Sequence, residues 1–149
     1  MGTADRADDL RAPGADSPRS ALVLVDAALT RAVIGAFYDV YNALGHGFLE
    51  SVYAAAVCRE IARRGLRVER EVTVDVRYKG AVVAVFRADV LVESRLLLEL
   101  KATPSLTSAD RRQLLNYLRA TGLELGLLLG FGHRAVVQRV IAPVPADPR

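Results

Sequence analysis

Between Arg87 and Ala102 the chain reads R-A-D-V-L-V-E-S-R-L-L-L-E-L-K-A, and no other stretch restricts its folding so tightly. The pattern predicts two apolar strands joined by a short turn, with Asp89 in the first and Glu99 and Lys101 in the second. Side chains alternate along a strand, so Glu99 and Lys101 leave one face while Leu98 and Leu100 leave the other. A carboxylate or ammonium buried without a partner costs several kcal/mol, so such groups in a core strand are paired, metal-bound or turned toward water. The lysine is pointed as well, because the chain holds 18 Arg and two Lys. A compact, strongly hydrated charge beside a water or phosphate is a task that Arg fills badly.

Asp89 and Glu99 are ten residues apart, which sets a geometric condition. A two-residue turn would pair Asp89 with Leu98 and put the carboxylates on opposite faces. An odd loop such as Glu93-Ser94-Arg95, or a bulge, brings them to one face. Two carboxylates together form a hard, oxygen-rich site suited to Mg2+ or Mn2+. A cation there can bind a phosphodiester oxygen and lower the pKa of a water, while the lysine orients that water or offsets charge at phosphorus. The plain alternative is an edge-strand aspartate beside a lateral Glu99–Lys101 ion pair, and spacing alone leaves both open.

The remaining composition narrows the setting. At 149 residues and 52% hydrophobic content the chain has material for one domain with a real core. It contains no apolar run long enough for a membrane span, and its acidic N-terminus is unlike a secretory leader, so a cytoplasmic protein without a membrane partner is expected. The single cysteine, Cys58, excludes an internal disulfide and a cysteine-built metal site, and reads as a small buried apolar residue. A net charge of +3 suits a phosphate-bearing partner without demanding one.

Residues 1–19 combine Asp, Arg, Ala, Pro and Gly with almost no large apolar residue and read as a disordered tail. Residues 20–142 read as one domain and 143–149 as a Pro-rich C-terminal tail. Ser20–Leu29 fits either an extended lead-in or an early helical turn, and Thr30 reads as the N-cap of a helix carrying Val33, Ile34, Phe37, Tyr41 and Leu44. Gly45-His46-Gly47 stops it. A second helix is predicted from about Phe48 to Arg64, with Gly65 as its stop. Val68–Tyr78 and Ala81–Val92 read as strands around a Lys79-Gly80 turn. After the third strand, Thr107 or Ser108 caps a helix running to about Ala120, with Gly122 as its stop. Leu123–Phe131 and Ala135–Ile141 close the domain. The expected fold is α/β (α+β), in the order ααβββαββ, with a mixed central sheet of about five strands flanked by helices.

Two further helices offer groups to the central hairpin. Glu50 lies near the start of the second helix, on a face with Tyr53, Ala54 and Val57, which turns it inward; the plain alternative is a first-turn acid. Gln113 and Tyr117 share a face of the third helix with Asp110, and are otherwise polar flank on a helix whose core is Leu114, Leu115 and Leu118. Gln113 can orient a phosphate or Lys101, and Tyr117 can bond a phosphate or stack on a base. His46 and His133 sit in glycine-flanked loops and are not expected to be ligands.

The segment Gly47-Phe-Leu-Glu50-Ser-Val-Tyr53 resembles the signature of the GxxExxY family, and the likeness extends from about Leu29 to Ile141. It continues through Y-K-G at Tyr78–Gly80, Asp89, E-L-K at Glu99–Lys101, Q-L-L-N-Y at Gln113–Tyr117 and G-L-L-L-G-F-G at Gly126–Gly132. That family is placed in the PD-(D/E)XK nuclease-like superfamily, and the Gln-x-x-x-Tyr helix resembles its RecB-type and CRISPR-associated exonuclease branch. The resemblance implies a restriction-endonuclease-like core, with Asp89 and Glu99 as metal ligands and Glu50 completing the site. It further implies Lys101 as the catalytic lysine and Gln113 with Tyr117 as support for the active centre and nucleic acid. The chain departs from the pattern at Ala88, where a proline often stands, and at Gly130, where relatives carry Asn.

The expectation is therefore a Mg2+- or Mn2+-dependent nuclease in which activated water cleaves DNA. Asp89, Glu99, Lys101 and Gln113 would carry catalysis, and Tyr117, Gln113, Arg111 and Arg112 would meet nucleic acid. Arg63 and Arg64 are further candidates for an open groove, and a homodimer would let the protein handle both strands. The alternative is a catalytically inactive nuclease-fold module that binds nucleic acid or a protein partner. A small metabolic hydrolase with a closed pocket is a weaker third reading.

Overall fold

The structure, a computed structural model, describes residues 18–143, with side chains from residue 26 onward. Its elements are α1 (Pro18–Leu44), α2 (Glu50–Arg63), β1 (Val68–Tyr78), β2 (Ala81–Val92), β3 (Leu96–Lys101), α3 (Ser108–Thr121), β4 (Leu125–Phe131) and β5 (Ala135–Ile141). The order is the expected ααβββαββ. Residues 1–17 and 144–149, which hold most of both expected tails, lie outside the described residues.

One boundary differs in kind. Thr30 is not an N-cap: α1 runs through it from Pro18, and Thr30 is buried in the helix interior. Proline is well suited to a first helical turn, where its missing N–H is no loss. The apolar run from Ala21 to Val25 and the Ala27-Ala28-Leu29 stretch contain nothing that would stop a helix before Thr30. The other helix signals act as the sequence suggests. Thr107 caps α3 in a reciprocal capping box with Asp110, and Gly122 ends it in the left-handed conformation.

The five strands form one sheet in the order β1-β2-β3-β4-β5. Neighbours are antiparallel except β3 and β4, which are parallel because α3 carries the chain across between them. Helices α1 and α2 cover one face and α3 the other. Leu96, Leu98 and Leu100 pack with Phe37, Tyr53, Val57 and Ile61 on the first side, and Leu97 packs with Leu114, Tyr117 and Leu118 on the second. Strand β4 is buried on both faces, which explains why its sequence is continuously apolar rather than alternating. Gly132, just after it, admits the loop behind β3: a Cβ there would stand 2.6 Å from the Pro104 carbonyl oxygen.

The sheet forks. Strand β2 pairs with β3 only over Val90–Val92, and before that it pairs only with β1. Just at the fork the β1–β2 ladder skips the Glu71–Asp89 position, and Glu71 takes a φ of 53°. A left-handed conformation costs a non-glycine residue about 1 kcal/mol or more. The break changes the facing of the strand: Val90 and Val92 belong to the core beneath α1 and α2, whereas Ala88 belongs to the core beneath α3. Beyond it the hairpin continues as a two-stranded ribbon to a Lys79-Gly80 turn with φ values of 49° and 80°, the pairing expected of a type I′ turn.

Thr30 also provides a test of the packing of α1. Its hydroxyl is buried with no hydrogen-bond partner among the described residues. A buried unsatisfied hydroxyl costs about 1–3 kcal/mol, so the near-isosteric Thr30→Val should raise stability by about 1 kcal/mol in urea unfolding. A loss of stability would show that the hydroxyl is satisfied.

Candidate active site at the fork of the sheet

The loop between β2 and β3 decides the site. Val92 pairs with Leu96, leaving the three-residue loop Glu93-Ser94-Arg95, in which Arg95 N–H donates to the Val92 carbonyl over 3.0 Å. Glu93 and Ser94 adopt φ values of 52° and 53° to make the turn. With that odd loop, the position after the Val90–Leu98 pair sets Asp89 opposite Glu99. The geometric condition read from the sequence is met.

The two carboxylates replace the next rung of the ladder. Asp89 N–H donates to Glu99 Oε1 over 3.1 Å, and Leu100 N–H donates to Asp89 Oδ2 over 2.8 Å. Each side chain accepts from the opposite strand's backbone at the point where the strands part, so the amides freed by the fork are satisfied without water. Glu99 is 3% exposed and Asp89 half-buried. Burial, and then the negative charge of Asp89, push the Glu99 carboxyl up to about 8 from an ordinary 4.5. Such a pair is short of positive charge. The donors are hard oxygens with an oxygen on each carboxylate outside these two bonds, which fits a small divalent cation.

Lys101 does not neutralise the pair directly. Its ammonium donates to Gln113 Oε1 over 3.1 Å and lies 4.0 Å from Asp110 Oδ1. Gln113 in turn donates from Nε2 to the Tyr117 hydroxyl over 3.0 Å. One face of α3 thus holds the lysine in place. The Tyr117 phenol is pushed up by burial and then by the charge of Glu99, which keeps it a neutral hydroxyl. Asp110 serves twice, since its other oxygen accepts from the Thr107 N–H in the capping box over 3.0 Å. The sequence places Asp110 on this face but does not show its second duty.

Glu50 reaches the site from the other layer. It is exposed at the start of α2, and with Ser51, Ala54, Arg70, Glu71, Asp89 and Leu100 it lines a cavity of 200 Å³. Among the described residues no three His, Cys, Asp or Glu side chains converge as a ready ligand set. Glu50 is therefore beside the carboxylate pair without closing on it. Tyr53, expected on the same face, turns into the core, where it stacks on Phe131 at 4.1 Å and donates to the Gly45 carbonyl over 2.6 Å. Its role is to brace the turn that starts α2. Sequence reasoning did not single out Arg70 and Glu71, which line this cavity, because a left-handed residue inside a strand leaves no sequence signal.

The arginines separate. Arg112 lines a cleft beside Gln113 and Tyr117, but Arg111 turns to the far flank of α3 and donates to the Arg139 carbonyl over 3.2 Å. Arg63 and Arg64 belong to the opposite layer, where they approach Glu60 at 3.6 Å and Asp39 at 2.6 Å. They do not join Arg112 in one groove. Cys58 is buried in the core as expected. His46 and His133 pack ring to ring at 4.5 Å with no third ligating side chain beside them among the described residues. No helix among the described residues is long and apolar enough to cross a membrane.

A family model for the PD-(D/E)XK nuclease superfamily matches residues 27–140, which contain every residue of this site. Among curated proteins none matches the chain. A solved structure, that of SSO0001, is similar at 22% identity over 52% of this chain and 43% of its own, with a TM-score of 0.41.

The raised Glu99 carboxyl gives a sign to pH dependence. Folded protein keeps the Glu99 proton until about pH 8, whereas the unfolded chain releases it near 4.5. The stability this contributes is fully present below about pH 4.5 and is lost as pH rises through about 8. In chelator, the melting temperature should therefore fall by a few degrees toward about pH 8.5, and Glu99→Gln should flatten that fall. Mg2+ or Mn2+ should raise the melting temperature of the wild type at the alkaline end and leave Glu99→Gln unmoved.

Proposed function

Because the chain belongs to the PD-(D/E)XK nuclease superfamily, we propose that it hydrolyses DNA phosphodiester bonds with Mg2+ or Mn2+. Within that superfamily, the G-F-L-E-S-V-Y, E-L-K and Q-L-L-N-Y segments support placing it in the GxxExxY family, with residues 20–142 as the nuclease domain. The observation that carries the proposal is the crossed carboxylate pair at the fork, beside a lysine held by a glutamine.

Asp89 and Glu99 would hold the cation, and Glu50 and Glu71 share the 200 Å³ cavity that Asp89 lines. PD-(D/E)XK nucleases typically use divalent metal ions, and such an ion supplies positive charge at the phosphate and a water that ionises more readily. The chain's own groups do the rest. Glu99 must give up its proton to accept a cation, which couples loading to pH. Lys101 directs its ammonium to the reacting phosphate, orients the incoming water and offsets charge that develops on phosphorus. Gln113 and Asp110 hold that ammonium from α3, and Tyr117 anchors Gln113. The water oxygen bonds to phosphorus as the bond to the departing sugar oxygen breaks.

Purified protein should cleave DNA among single-stranded, nicked and duplex substrates in Mg2+ or Mn2+. Lys101→Ala and Asp89→Asn should each lower the rate by at least about 100-fold, as expected for loss of a group that stabilises developing charge. Equal cleavage by wild type and variants, or none by either while DNA binding persists, would leave a nuclease-fold module that binds without cutting.

A further inference from the structure

The ribbon beyond the fork does not lie flat against α3. Between them is a cleft of 290 Å³ lined by Val76, Phe86, Arg112, Gln113, Asn116 and Tyr117. It opens into a wider groove of 760 Å³ that shares Val76, Phe86 and Asn116 and adds Arg77 and Arg119. Phe86 is 47% exposed, an unusual state for a phenyl ring beside a core, and its centroid stands 5.9 Å from that of Tyr117. Gln113, which forms one wall, is the residue that holds Lys101 at 3.1 Å.

We propose that this cleft receives one unstacked nucleobase, so that the substrate is single-stranded DNA or a frayed DNA end. The inference rests on the DNA-cleaving reading above and adds the form of substrate to it. An aromatic ring with an open face accepts any base by stacking, and such contacts are a general means of holding single strands. The Asn116 amide and the Arg112 guanidinium border the ring and can meet base edges, which offer both donors and acceptors. Arg119, in the wider groove, forms no ion pair among the described residues, which leaves it to the sugar-phosphate backbone. Arg77 is partly offset by Asp75 at 3.8 Å. In a duplex each base is covered on both faces by its neighbours, and stacking on a ring in the wall of a cleft requires it to leave the stack. The cleft is one side chain away from Lys101, so a base seated there places the adjoining phosphate toward the carboxylate pair.

Binding is measured on the full chain by fluorescence anisotropy in Ca2+, with a single-stranded oligonucleotide and the blunt duplex of the same sequence. Phe86→Ala should weaken single-strand binding about 10-fold and duplex binding by less than about 2-fold, and Phe86→Trp should restore it. Asn116→Ala should weaken the single strand in the same direction. A 2-aminopurine base in the single strand should be quenched by wild type and less by Phe86→Ala. Equal losses on both DNAs, or no loss on either, overturn the proposal. So does a change of oligomeric state in Phe86→Ala with DNA binding intact, which would assign the ring to a protein contact. The two readings separate cleanly. Absence of cleavage with a selective Phe86 effect retains the cleft and removes the nuclease, whereas Lys101-dependent cleavage without a Phe86 effect does the reverse.

Discussion

Two hydrogen bonds at the fork hold the sheet and the candidate site together. Where β2 leaves β3, the backbone amides of Asp89 and Leu100 would face a widening gap, and an unpaired buried amide costs about as much as a lost hydrogen bond. The carboxylates of Glu99 and Asp89 fill it, each accepting from the other strand. Sheet continuity therefore depends on two acids placed close enough to repel one another. Burial first, and the charge of Asp89 second, raise the Glu99 carboxyl, and Glu71 takes a left-handed backbone opposite Asp89 where the ladder breaks. A cation would relieve the repulsion, so what strengthens the fold at this point also equips it for chemistry.

The two helical layers treat this centre differently. Helix α3 delivers Gln113, Tyr117 and Asp110 as a connected row on Lys101. Helix α2 delivers only Glu50, exposed at its first turn and facing Asp89 across a cavity. Rigid support is thus concentrated on the lysine side, while the acid side borders an open cavity.

Much of this was legible in the residues. Parity required an odd loop or a bulge if Asp89 and Glu99 were to meet, and the loop Glu93-Ser94-Arg95 supplies it. The alternation of β3, the cap at Thr107 and the stop at Gly122 were equally readable, because each rests on local geometry. What failed was non-local. Thr30 has the chemistry of a cap, but the helix forms through it because burial against the core outweighs a weak terminal preference. The left-handed Glu71 and the exposure of Phe86 lie on the part of the β1–β2 hairpin at and beyond the point where β2 leaves β3. No window of sequence carries that divergence.

Asp110 is held in common by the first turn of α3 and by the ammonium of Lys101. Its two contacts tie the posture of the lysine to the completion of a helix that enters the chain only after both carboxylate strands. A nascent or partly unfolded polypeptide can contain Asp89, Glu99 and Lys101 and still lack their arrangement. The carboxylate pair needs only the β2–β3 hairpin, whereas the posture of the lysine beside it needs α3 as well.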